Sequence, residues 1–152
     1  MADAGQRALA ERSDGTSTNG IPTLRGPFMD LKYIAQNNRD VAKQLRVANK
    51  ELLRSPKTAI STYVNALSGR EARYSLTSLL HVSNGNQRIV QRATVLVNAQ
   101  NGIKGVGDSE NFEEAETLAA LHAIIVLFGQ GLIDKNGIPV SSPANAILVS
   151  AQ

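Results

Sequence analysis

Few residues in this chain could perform chemistry, and their spacing is poor for catalysis. His81 and His122 are the only histidines, no His-x-x-x-His pair exists, and there is no cysteine. Disulfides, thiolate zinc sites and a cysteine nucleophile are therefore excluded. A lone histidine near a strand end and another on an apolar helix read as packed side chains rather than as a base or ligand. Asp108, Glu110, Glu113, Glu114 and Glu116 crowd one short stretch. Without a second source of ligands they make a poor cation site, and they suit a helix start, where the dipole favours negative charge. No Gly-x-x-x-x-Gly-Lys-Ser/Thr loop is present. The expectation is a non-enzyme with no cofactor and no metal.

Charge is distributed unevenly. Residues 1–57 hold ten basic and six acidic side chains, 58–107 five and one, and 108–152 one and six. The chain is thus basic, basic and then acidic. Its longest apolar run, around Ala119 to Phe128, is far shorter than the ~20 residues of a membrane span. The first residues lack a charged-then-apolar signal pattern, and Asp3, Glu11 and Asp14 do not suit a transit peptide. The expected location is cytoplasmic or nuclear, with mitochondrial less favoured and no membrane partner.

The elements that must position these groups follow from periodicity. Residues 1–27 are rich in Gly, Ser, Thr and Asn and read as a disordered tail. From 28 to 54, Leu31, Ile34, Val41, Leu45, Ala48 and Leu52 predict one amphipathic helix, with Lys32, Arg39, Lys43, Arg46 and Lys50 mostly off the apolar side. Ser55-Pro56 restarts the chain, with Ser55 as N-cap and Pro56 in the first turn. The helix that follows runs to about Leu67, and Ser68-Gly69 stops it. Tyr74 to Val82, Ile89 to Asn98 and Ile103 to Val106 alternate as strands, and Asn84-Gly85 and Asn101-Gly102 join them into a meander. Gly107-Asp108-Ser109 is expected to break the sheet. Ser109 or Asn111 caps a last helix, which Gly129 and Gly131 end. Residues 133–152 read as a C-terminal tail or linker, with a small apolar patch at Ile147, Leu148 and Val149. The predicted class is α+β: an α-β-β-β-α domain over 55–132, with both helices on one face of a three-stranded antiparallel sheet and an extra N-terminal helix before it.

This order resembles the double-stranded-RNA-binding domain family. Ser55-Pro56-Lys57-Thr58-Ala59-Ile60-Ser61-Thr62-Tyr63 is similar to its opening helix, and Ala72-Arg73-Tyr74-Ser75-Leu76 to the start of its first strand. Gly105-Val106-Gly107-Asp108-Ser109 and Ala119-Ala120-Leu121 are similar to the glycine-serine motif and small-residue stretch of its last helix. Leu127-Phe128-Gly129-Gln130-Gly131-Leu132 resembles the auxiliary N-terminal domains of DEAH-box RNA helicases. The resemblance implies a module that reads A-form RNA by shape, touching 2′-hydroxyls and phosphates. It assigns RNA contacts to Lys57, Thr58, Ser61 and Thr62 on the opening helix. It assigns others to Asn84, Asn86, Gln87 and Arg88 in the loop after the first strand.

One departure is plain. The family's phosphate-bridging lysines fall at Phe112, Glu113 and Glu116, and residues 108–134 contain no lysine or arginine. The expected function is therefore a non-catalytic RNA-associated module, in keeping with a fragment of an RNA helicase without its motor. It binds structured RNA weakly or in a manner unlike the family's usual one. The alternative is a protein-interaction or dimerisation adaptor on the same fold, docking through the acidic last helix or the 28–54 helix.

Overall fold

The computed structural model describes residues 20–140. Asp30 opens the first helix, α1 (Leu31–Asn37), its carboxylate accepting from the Tyr33 N–H at 2.9 Å. Asn38 breaks helical geometry (φ −135°, ψ 34°), and α2 (Arg39–Arg54) follows. The expected single helix over 28–54 is thus two. Neither proline nor glycine marks the break; the Asn38 side chain donates to the Ile34 carbonyl at 2.8 Å and turns the chain. Asn49, inside α2, is also non-helical, and Ala48, expected on the apolar side, is exposed.

Helix α3 (Pro56–Ser68) starts on its proline and stops at Gly69, whose φ of 72° is left-handed. Ser55 occupies the cap position without a side-chain bond. Strands β1 (Tyr74–Ser83), β2 (Asn86–Asn98) and β3 (Ile103–Ser109) form one antiparallel sheet in that order. Asn84 and Gly85 both have positive φ, 52° and 81°, as a two-residue hairpin turn of the right twist requires. Helix α4 (Phe112–Gly129) begins at Asn111, whose side chain accepts from the Glu114 N–H at 3.0 Å.

Both long helices after the N-terminal pair lie on one face of the sheet. Ala93, Val95 and Val97 of β2 share a core with Ile60, Tyr63 and Val64 of α3 and Ala119, Ala123 and Ile124 of α4. Each fully buried Ile or Leu there stabilises the fold by about 1.5–3 kcal/mol. Contrary to expectation, β3 does not break at Gly107; it runs through Asp108 to Ser109. Gly105 and Gly107 serve approach rather than turning: a Cβ at either would collide with the α4 backbone at Ala119 or Ala115. Helices α1 and α2 pack on the outside of α4 through Ile34, Ala42, Leu118 and Ile125.

The reverse face of the sheet carries a strap. Residues 20–27, expected to belong to a free tail, are held there; the rest of that tail lies outside the described residues. The Leu80 N–H donates to Pro22 O and Leu24 N–H to Leu80 O on the β1 edge. The chain then crosses β2, where Arg92 donates to Pro27 O at 3.3 Å, and reaches β3, where Met29 and Asp108 bond each other. Val90 beneath is fully buried. After α4, residues 132–140 fold back as a tight turn, with Ile133 buried and bridged to Pro139. The tail expected from 133 is therefore packed as far as 140. Ile147, Leu148 and Val149 lie outside the described residues.

Candidate nucleic-acid interface

The opening turn of α3 presents Lys57, Thr58, Ser61 and Thr62. Helical spacing sends Ile60, Tyr63 and Val64 inward and leaves Thr58, Ser61 and Thr62 exposed. Those three side chains have no hydrogen-bond partner among the described residues, so their hydroxyls can face a ligand. Lys57 is already engaged. Its Nζ lies 2.7 Å from Glu116 Oε1 and 5.2 Å from the centre of the Tyr74 ring. The Tyr74 hydroxyl is buried and has no hydrogen-bond partner among the described residues. Burial, with Glu116 second, pushes its pKa up to about 12.

The hairpin supplies the second group. Asn84 sits in the turn, and Asn86 and Gln87 are exposed at the start of β2. Arg88 resembles Lys57 in being held: it lies 2.6 Å from Glu110 and 5.2 Å from the Phe28 ring centre. Phe28, in turn, stacks on His81 at 4.4 Å and 11°. The two ion pairs join three surfaces. Lys57–Glu116 ties α3 to α4, and Arg88–Glu110 ties the hairpin to the segment before α4. Of the eight residues expected to touch RNA, these pairs hold Lys57 and Arg88 to the α4 start and to the residues just before it, and both cations are spent on carboxylates. A phosphate would have to displace a glutamate at each.

At the α4 start the remaining acids have local work. The Ser109 hydroxyl donates to Glu114, and Glu113 and Glu114 stand in the first turn, where the helix dipole favours them. Among the described residues, no group of three or more acidic or histidine side chains could hold a metal ion. No described helix is long and apolar enough to cross a membrane.

No family model, curated protein or solved structure matches the chain.

Sequence reading missed two polar arrangements because each spans distant segments. In the first, Asp108 is buried, accepts from the Met29 N–H at 2.8 Å, and takes two bonds from Arg92 at 2.8 and 2.7 Å. This bond and burial act on Arg92 in opposite senses, and the bond to Asp108 dominates, so its pKa is raised. The second is His122, whose Nδ1 accepts from the Val106 N–H at 3.0 Å, while burial holds its pKa below the ordinary value. Val106 and Asp108 are outward-facing donors of the β3 edge, and His122 and Met29 satisfy them. That part of the edge is covered, as strand edges usually are. On the opposite edge, β1, Pro22 and Leu24 satisfy Leu80, and among the described residues no hydrogen bond meets the outward backbone groups of Tyr74, Leu76 and Ser78.

Proposed function

We propose that the chain is a non-catalytic RNA-associated module, built on a fold like that of the double-stranded-RNA-binding domain. It engages structured RNA weakly, through hydroxyl and amide contacts more than through the family's lysine grip. The observation that carries this reading is the exposed polar set Thr58, Ser61, Thr62, Asn84, Asn86 and Gln87, on the two elements that the Lys57–Glu116 and Arg88–Glu110 pairs tie to the α4 end of the sheet. Side chains of this kind suit the 2′-hydroxyls of an A-form minor groove. The carboxylates at the α4 start explain why the grip is weak, since each repels a phosphate.

Fluorescence anisotropy with an RNA duplex of about 16 base pairs, set against DNA of the same sequence, tests the reading. Preference for RNA is expected. Equal affinity for both, or no binding of either, would overturn it.

The β1 edge at Tyr74, Leu76 and Ser78, where no described residue forms a hydrogen bond to the outward backbone groups, favours a second reading. Tyr74 to Val82 contains no charged residue, proline or glycine, and Leu76 is 44% exposed. Such an edge can accept an added strand from another chain, which would make the fold a protein adaptor. Light scattering over a range of concentrations, with Leu76→Lys as control, separates the two. A monomer whose mass is unchanged by that substitution counts against strand-mediated self-pairing.

A further inference from the structure

Four described cations are tied to carboxylates: Arg54 to Glu51, Lys57 to Glu116, Arg88 to Glu110 and Arg92 to Asp108. Lys32, Arg70, Arg73, Lys104 and Lys135 have no such pair among the described residues, but helix α2 gathers unpaired cations on one element. Arg39, Lys43, Arg46 and Lys50 are all exposed, and none has an ion pair or side-chain hydrogen bond among the described residues. At 3.6 residues per turn, Arg39, Lys43 and Arg46 fall within about 60° of one another around the helix, each about one turn beyond the last. Lys50 lies beyond the break at Asn49, so helical spacing does not place it in this row. The buried side of the helix before the break is Ala42 and Leu45, so the row runs along the exposed flank, about 100° around from that side.

Helix stability does not account for the row. Like charges one turn apart repel each other, and Arg39 stands at the positive end of the helix dipole. The two acids of α2 do not pair with it: Asp40, three residues before Lys43, forms no ion pair among the described residues, and Glu51 is bound to Arg54. A regular, one-sided line of unpaired cations complements a regular line of anions.

We infer that α2 carries the phosphate contacts of this module, doing from outside the α-β-β-β-α unit what the acidic start of α4 cannot do. The inference rests on the RNA-associated reading and names its electrostatic site: Arg39, Lys43 and Arg46 on the backbone of structured RNA. A lipid surface is a poorer occupant, because the apolar side of α2 is buried on α4 and cannot enter a bilayer. An acidic protein is also poorer, because α2 has no aromatic residue to anchor a dry interface.

The test uses the full chain and an RNA duplex of about 16 base pairs, with affinity measured from roughly 50 to 200 mM salt. In one variant Arg39, Lys43 and Arg46 become Gln, a good helix former; circular dichroism checks that the helices persist. Its plot of log affinity against log salt is expected to flatten by about three, one unit per lost phosphate contact. A second variant, Thr58→Ala with Ser61→Ala and Asn86→Ala, is expected to bind more weakly with an unchanged slope. If the glutamine variant keeps the wild-type slope while wild type binds the duplex, the inference falls and the RNA reading survives. If wild type binds no duplex, both fall. Competition by polyglutamate as effective as by unlabelled duplex also overturns the inference, because the row would then be a general acid-binding surface.

Discussion

Asp108 is the polar side chain on which most of the reverse face depends. It is 1% exposed and holds Arg92 and the Met29 N–H, so one carboxylate fixes the end of the strap to two strands. A buried ion that loses its partner is costly, whereas removing both partners together costs less. Arg92→Met is expected to lower unfolding free energy by about 3 kcal/mol, read from urea titration, and pairing it with Asp108→Asn should return part of that loss. A single-variant cost below about 1 kcal/mol would show that the pair behaves as an ordinary surface contact. His122 gives a second prediction at this scale. Burial lowers its folded pKa, so the unfolded chain takes up the proton more readily and stability rises with pH. The contribution is complete above the unfolded value of about 6.5 and fades as pH falls toward the folded one. Protonation would also turn the acceptor of the Val106 N–H into a donor. His122→Gln should remove this part of the pH dependence in urea midpoints between about pH 5 and 7.5.

At the scale of elements, the sequence was readable where a local rule decides. Asn84-Gly85 sets the first hairpin through two positive φ values, Pro56 and Gly69 bound α3, and period-two alternation identifies Ala93 and Val95 as inward. Reading failed where a residue type has two uses. Gly107 looked like a breaker, yet it is a strand residue that, with Gly105, admits α4 against the sheet. The two uses predict different costs. Gly107→Ala must push α4 away from β3 and should cost about 3 kcal/mol, the high end for overpacking. Gly85→Ala meets no atom and faces only the left-handed backbone, about 1–2 kcal/mol. Thermal melts of the two variants rank them; a Gly107→Ala protein as stable as Gly85→Ala would show that α4 does not sit where described. The strap was invisible for another reason. Its grip on β1 is a single bridge at Thr23 and Leu80, followed by isolated bonds to Arg92 and Asp108, and none of these leaves a periodic trace. At the candidate site, residues could be proposed from the sequence but their ion pairs could not be read from it. The eight polar residues could be named, while the glutamates that neutralise Lys57 and Arg88 come from segments 59 and 22 residues away.

Across the whole molecule, charge is separated by element: an unpaired basic row on α2, acids at the start of α4, and the polar set on α3 and the hairpin. If RNA lies along α3, the hairpin and the α4 start, the missing cations at that start limit affinity, and restoring them should tighten binding. Phe112→Lys with Glu113→Lys makes this test while leaving Glu116 to Lys57 and Glu110 to Arg88. Both positions are exposed, so the core is untouched, although lysine near a helix N-terminus is disfavoured by about 0.3–1 kcal/mol. Two new phosphate contacts should raise duplex affinity by about tenfold at moderate salt and steepen the salt dependence by about two units. In the α2 glutamine background the gain should persist, because the two surfaces would then bind phosphates independently. An affinity that does not change when these lysines are added would mean that the α4 start faces away from RNA. The polar set on α3 and the hairpin would then have to serve another ligand.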